Sequence, residues 1–282
     1  MLHVHMNKAA QDSNDIQFTR FKFSTKRNET WDIQTKATYV EESIIYDEDG
    51  DLVIKKKNDD CDVIGIYHRM STSLNLVGLQ LWRGSLLMCD YAIHNAEMFR
   101  DKNILELGAG VGLTGILLGQ YAASILCTDF NDGVIEMCKK NMQNNHRFFN
   151  SNSSFSCQKL DWFKWHKEEL QALCPNGTDI IIACDCIYSD SLTDALFKTI
   201  YCLLKHCSSM GKMEAYLPLE KRLNFTLDDL EVTCHEYDYF RKCLDALAAK
   251  NLNVEIVEID CLPQYFEYDR VQQLELWRIK CI

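Results

Sequence analysis

A chain of 282 residues, 47% of them apolar, can bury a full core, and its length fits one large domain with an extension. A formal net charge of −11 disfavours free DNA or RNA as a partner, because binding phosphates needs clustered Lys and Arg, and favours a basic polypeptide. No apolar run reaches the ~18 residues that span a bilayer, and MLHVHMNKAAQDSND lacks the apolar block of a signal peptide, so a soluble, non-secreted protein with no membrane contact is expected.

Residues 1–15 are polar and expected to be mobile. Residues 16–78 form a β-rich extension: Phe18 to Thr25 (FTRFKFST) alternates aromatic and polar side chains, Trp31 to Val40 is rich in β-formers, and together they are expected to make a small sheet over part of the main domain. Tyr46 to Asp51 (YDEDGD) reads as an acidic turn; it does not continue into the spaced, Glu-terminated ligand series of a calcium loop. The Lys55 to Lys57 run reads as an exposed strand end, with nuclear import as the alternative. Leu79 to His94 (LQLWRGSLLMCDYAIH) opens a helical stretch with Leu86, Leu87, Tyr91 and Ala92 at core-facing spacing, leaving Trp82 and Arg83 at its entrance.

Lys102 to Gly119 (KNILELGAGVGLTGILLG) organises the rest of the chain. The apolar run Asn103 to Leu107 is long enough for a buried strand and runs into Gly108, Gly110, Gly112 and Gly115 before a helical pattern begins. Glycine suits a sharp turn that a ligand approaches closely, and the helix start after it offers free N–H groups to an anion. The spacing G-x-G-x-G-x-x-G, with Glu106 two residues before Gly108, differs from the dinucleotide fingerprint G-x-G-x-x-G. Glu106 would repel a pyrophosphate and attract the amino and sulfonium end of S-adenosylmethionine. Asp129 closes the next strand, Ser124 to Asp129 (SILCTD), at the distance where a carboxylate grips ribose hydroxyls.

Asp132 to Asn144 is a second helix, with Val134, Ile135, Cys138 and Met142 inward, and Ser154 to Trp162 a third strand ending in Asp161 and Trp162. A carboxylate acceptor beside an indole face suits an adenine ring. Asp179 to Cys186 (DIIIACDC) reads as the most deeply buried strand, and Asp185 at its carboxyl end points into the ligand crevice of an open α/β sheet. Ser191 is expected to cap a helix running to His206; Met213 to Pro218 is a fifth strand, and the turn after it places Glu220, Lys221 and Arg222 at the same rim. Val232 to Lys250 is a helix, and Asn253 to Asp260 and Gln273 to Cys281 are strands with no helix between them, so the last runs antiparallel to its neighbours. The fourteen cysteines are scattered through these apolar runs with no C-x-x-C, which reads as reduced core packing with neither disulfides nor a metal site.

ELGAGVGLTG, TDF, LDW and DCIY, in that order along a β/α series ending in a hairpin, resemble the seven-stranded S-adenosylmethionine-dependent methyltransferases, and within them the lysine methyltransferases called family 16 or methyltransferase-21-like. The resemblance implies an α/β fold over residues 79–282: a seven-stranded Rossmann-like class I methyltransferase sheet with an antiparallel last strand, carrying the small N-terminal β extension. It implies that Trp82, Glu106, Gly108, Ala109, Gly110, Asp129, Trp162 and Cys184 contact S-adenosylmethionine, to which the acceptor chemistry of Asp161 adds an adenine contact, and that Asp185 and Tyr188 are the D-x-x-Y pair holding the target lysine. The implied protein is a nuclear enzyme, with the cytoplasm as the alternative, acting on a protein substrate; a monomer is expected. The chain departs from the family in having Cys184 where Ala is common and Arg83–Gly84 where Pro-Ala is common after the Trp. Nucleic-acid amine methylation would call for N/D-P-P-Y/F/W at the fourth strand in place of DCIY, and cytosine C5 methylation for a Pro-Cys nucleophile; none of Pro175, Pro218 and Pro263 supplies either. A small-molecule or RNA methyltransferase and a non-catalytic cofactor-binding scaffold are the alternatives.

Overall fold

In the computed structural model, which describes residues 16–23, 45–46, 52–53, 62–174, 177–207, 213–225 and 232–281, the chain opens on β1 (Gln17–Phe23). Two short strands and one long one come next: β2 (Ile45–Tyr46) pairs with β3 (Leu52–Val53), then β4 (Asp62–His68). A 3-10 stretch over Leu74–Leu79 leads into α1 (Arg83–His94) and α2 (Ala96–Phe99). The alternating part comprises β5 (Asn103–Leu107), α3 (Leu113–Leu118), β6 (Ser124–Asp129), α4 (Asp132–Asn144), β7 (Ser154–Lys159), α5 (Lys167–Ala172), β8 (Ile180–Ile182) and α6 (Asp190–His206). The chain ends with β9 (Glu214–Glu220), β10 (Asn224–Phe225), β11 (Val232–Thr233), α7 (His235–Ala248), β12 (Leu252–Val257) and β13 (Leu274–Cys281). The expectations for residues 1–15, Trp31 to Val40 and Lys55 to Lys57, and for most of Tyr46 to Asp51, fall outside the described residues.

Seven strands form one sheet in the order β12-β13-β9-β8-β5-β6-β7. β5 to β9 are parallel, each joined to the next through a helix, while β13 is antiparallel to both β9 and β12. The reversal reflects the missing helix between β12 and β13, since a parallel return needs a long crossover. This is the seven-stranded sheet with an antiparallel last strand expected from the sequence. Side chains alternate across it. In β5, Ile104 faces the core under α1, α3 and α4, whereas Leu105 and Leu107 face the core under α5, α6 and α7.

The described part of the extension packs through a strand that the hydrophobic pattern does not reveal. β1 pairs antiparallel with β4, from Gln17 opposite His68 to Phe23 opposite Asp62, and Phe23, Ile64 and Ile66 join the core on the α1/α3/α4 side. The open edge of β4 is satisfied by two buried asparagines, Asn141 of α4 and Asn145 just after it. Asn141 Oδ1 accepts from Tyr67 N at 2.8 Å while its Nδ2 donates to Tyr67 O and Val111 O, and Asn145 Oδ1 accepts from Gly65 N at 3.0 Å. Because Asn141 reaches both the extension and the glycine turn, Asn141→Ala is expected to cost about 2 kcal/mol, the effect of leaving buried main-chain groups unpaired; urea unfolding measures it.

Several boundaries differ from the sequence reading. α1 begins at Arg83 because residues 74–79 form the 3-10 stretch and the chain is extended at Trp82. β8 covers only Ile180–Ile182, although Ala183 N and Asp185 N still donate to Tyr216 O and Pro218 O. The N-cap of α6 is Ser189, not Ser191, and it makes no side-chain capping bond. Residues 232–233 belong to a short pairing with Asn224–Phe225, so α7 starts only at His235.

Candidate functional site

The carboxyl ends of the parallel strands open into a cavity of about 700 Å³. Its floor is the turn after β5. Gly108, Gly110 and Gly112 have φ of 66°, 55° and 85°, the left-handed region that glycine adopts without strain. At Gly110 a side chain is excluded twice over, since a Cβ there would meet Gly78 O at 2.9 Å. The turn is pinned by Ala109 N donating to Thr128 O and Gly112 N to Ala109 O, both at 2.9 Å.

Asp129 stands at the tip of β6 beside this turn, its Oδ2 accepting from Gly110 N and its Oδ1 from Asn131 N, each at 3.3 Å. Burial pushes the carboxyl above the usual range, and the N–H groups of Asn131, Gly110 and Phe130 pull against that. At the tip of β7, Trp162 lines the cavity next to Asp161, whose Oδ1 accepts from Phe163 N at 3.0 Å. At the tip of β8, the Cys184 sulfur lies 3.6 Å from Thr114 Oγ1. Asp185 and Tyr188 complete that wall, and burial pushes the Tyr188 phenol up to about 12. Trp82, at the entrance of α1, fixes its indole by donating Nε1–H to Val77 O at 3.2 Å.

Trp82, Gly108, Ala109, Gly110, Asp129, Asp161, Trp162, Cys184, Asp185 and Tyr188 are thus brought around one cavity. Glu106 is not. It is 2% exposed, on the helix-covered face of β5, where Cys127 Sγ donates to its Oε2 at 3.2 Å. The alternation that points Ile104 beneath α3 points Glu106 there as well, so its carboxyl lies under Gly115 and not at the strand tip. Burial raises this carboxyl to about 7, against hydrogen bonds from Cys127, Thr114 and Gly115.

Asp185 departs from the expected free carboxylate in a different way. It has φ 51°, and both of its oxygens accept main-chain N–H groups from other elements: Oδ2 from Gly84 at 2.5 Å and Oδ1 from Glu220 at 2.8 Å. Asp185 therefore caps the first turn of α1, whose own N-cap, Trp82, supplies no capping side chain. Gly84 makes this possible, because a Cβ there would fall 2.6 Å from Asp185 Oδ2 and 2.9 Å from Pro218 O. Burial raises this carboxyl, while the two N–H groups and the Arg222 charge lower it.

Of the three rim residues at the end of β9 and just after it, only Arg222 lines the cavity, with its guanidinium 4.4 Å from the centre of the Trp82 ring. Glu220 pairs with Arg83 at 2.7 Å and Lys221 with Glu275 at 2.8 Å. Sequence reasoning passed over Phe130 and Phe163, half-exposed rings that also line the cavity. Their signal was adjacency, since each comes directly after a residue already singled out.

These residues fit S-adenosylmethionine. The Gly110 cradle admits no side chain, Asp129 is an acceptor beside it, and aromatic faces flank the far end. Three carboxylates line the cavity of a ligand whose reactive centre is cationic.

Comparison with known proteins agrees. A family described as "Lysine methyltransferase" matches residues 62–227. Methyltransferase-like protein 22 of Homo sapiens is 40% identical over 77% of this chain and 57% of its own length, and that of Mus musculus is 36% identical over 85% and 65%. Calmodulin-lysine N-methyltransferase of Arabidopsis thaliana is 30% identical over 44% of this chain and 40% of its own length. The chain therefore spans about three fifths of the two methyltransferase-like relatives. With a match that runs from β4 to β10 and takes in the glycine turn and every strand tip around the cavity, this chain belongs to the lysine methyltransferase family.

Proposed function

We propose that the protein is a protein-lysine N-methyltransferase that uses S-adenosylmethionine. The observation that carries this reading is the single cavity in which the Gly108–Gly110 turn and Asp129 meet the Asp185–Tyr188 wall, in a chain of this family. The net charge of −11 supports a basic protein as the substrate. A nuclear, monomeric protein is our expectation, resting on the resemblance and the Lys55–Lys57 run. Tritiated cofactor incubated with the protein and cell lysate tests the activity. A labelled protein band is expected; label in RNA or small solutes, or cofactor binding without label, would overturn it.

S-adenosylmethionine supplies a methyl group on a sulfonium already activated for displacement, so the protein's work is alignment and charge control. Asp129 would accept hydrogen bonds from the ribose hydroxyls. At roughly 1.5 to 3 kcal/mol per charge-assisted bond, Asp129→Ala should weaken cofactor binding at least ~10-fold by calorimetry. Trp162 and Phe163 would flank the adenine, and Gly108 and Ala109 would let the cofactor lie against main chain. Tyr188 would pack its ring along the aliphatic stem of the lysine. With both oxygens engaged by Gly84 and Glu220, Asp185 holds α1 and the end of β9 around the amine. That is a positioning role, in place of the direct capture expected from the sequence.

The remaining difficulty is the nucleophile. A lysine with pKa near 10.4 is neutral only about once in ~2500 at pH 7, a cost of ~4.6 kcal/mol, and an ionised Asp185 alone would favour the unreactive ammonium.

A further inference from the structure

Arg222 sits where that difficulty arises. Its guanidinium lies against the Trp82 ring, and its charge acts on both Asp185 and Tyr188, the two residues of the wall assigned to the lysine. Among the described residues, the charged groups flanking it on α1 and at the end of β9 are committed. On α1, Arg83 is held by Glu220 at 2.7 Å and by Asp269 at 3.8 Å. On β9 and just after it, Glu220 is engaged by Arg83, and Lys221 turns to Glu275 and the Tyr237 ring. On the wall after β8, each Asp185 oxygen accepts one main-chain N–H group and Tyr188 is a neutral phenol. Asp129 and Asp161 line the same cavity from the tips of β6 and β7.

We propose that Arg222 is the specificity-determining charge of the acceptor site: it offsets Asp185, so that the target lysine is held as the free amine and not as its ammonium. This rests on the lysine-methyltransferase reading above and deepens it. Trp82 fixes the guanidinium by stacking, which keeps a permanent cation next to the amine without offering it a carboxylate partner. A cation a few ångströms from an amine in a partly desolvated site lowers its proton affinity, and guanidinium cannot relieve the repulsion by losing its own proton. The amine nitrogen would then present its lone pair to the methyl carbon, its proton having passed to water; as the N–CH3 bond formed, the S–CH3 bond would break with its electron pair left on a neutral thioether sulfur, and the resulting methylammonium would release a proton to solvent.

The test compares wild type, Arg222→Met and Arg222→Lys, using tritiated S-adenosylmethionine and heat-treated cell lysate as acceptor, from pH 6.5 to 10. For Arg222→Met, the rise of labelling with pH should move about one unit to the alkaline side. The rate should therefore fall roughly 10-fold at pH 7.5 and recover near pH 10, because each pH unit changes the neutral amine tenfold below its pKa. Arg222→Lys, which keeps the charge, should restore most of the wild-type profile, and calorimetry should show cofactor affinity in both variants no weaker than wild type. Superimposable profiles would overturn the inference while leaving the enzyme reading intact. So would a loss of cofactor affinity in Arg222→Met with no shift in pH, which would make Arg222 a ligand for the cofactor's own carboxylate. If the wild type labels no protein band at any pH, the enzyme reading falls and this inference with it.

Discussion

Asp185→Ala is expected to destabilise the protein by about 4 kcal/mol, because it strips acceptors from two buried main-chain N–H groups at once. Gly84 N and Glu220 N donate to the two oxygens of this one side chain, which is 7% exposed, and each orphaned group costs roughly 1 to 3 kcal/mol. The loss also removes the only side-chain cap at the start of α1 found among the described residues. Some relief comes from deleting a carboxylate whose burial raises its pKa, which places the effect toward the middle of the summed range. Alanine gains nothing from the backbone, since φ 51° suits a short polar side chain better than a methyl group. Urea unfolding gives the number, and a loss below ~1 kcal/mol would mean that the two N–H groups find other acceptors. Gly84→Ala is the companion variant. Its Cβ would collide with Asp185 Oδ2 and with the carbonyl of Pro218, which is main chain and cannot swing aside. In combination the two changes should cost less than their sum, because they break the same contact.

The sheet was legible because its signals are local. The apolar runs at Asn103, Ser124 and Ile180, each succeeded by turn residues and a helical period, specify parallel strands joined by helices, and the absence of a helix between β12 and β13 specifies the antiparallel one. The strand tips were legible for the same reason: in an open α/β sheet, residues just beyond the carboxyl ends share one crevice whatever their separation in sequence. What local pattern does not carry is where a side chain's hydrogen bonds go. Asp185 could be placed at the crevice, but its two donors lie 101 and 35 residues away, on α1 and at the end of β9. β4 was missed because its edge is completed by Asn141 and Asn145, polar residues on and just after a helix, which periodicity reads as solvent-facing. Glu106 was misjudged by position alone. It is two residues from the turn, but the strand alternation turns it away from the cavity.

Glu106→Gln is expected to raise stability above pH 7 by up to about 3 kcal/mol. The folded-state pKa is about 7 against an ordinary 4.5, so between these values the native protein keeps a proton that the unfolded chain has released. Stability from this group is therefore present in full below pH 4.5 and is lost as pH rises toward 7; at ~1.4 kcal/mol per unit over about two and a half units, the loss is about 3 kcal/mol. Glutamine does not titrate, and its amide oxygen can still accept from Cys127 Sγ. The buried Asp90, Asp129 and Asp185 are also raised and tilt both proteins the same way, so the difference between wild type and variant isolates Glu106. Thermal unfolding from pH 5 to 8.5 should show curves that nearly coincide at pH 5, diverge as pH rises to about 7 and keep a constant separation above it; a separation that does not change between pH 5 and 7 would mean that the carboxyl is not the titrating group. Calorimetry on the same variant separates two readings of its function. A fixed anion placed to attract the cofactor's cationic end would cost at least ~10-fold in affinity when replaced by an amide. A carboxyl that sits beneath Gly115, away from the cavity lining and half protonated near neutrality, should cost less than about twofold, leaving Asp129 as the acid on which cofactor affinity depends.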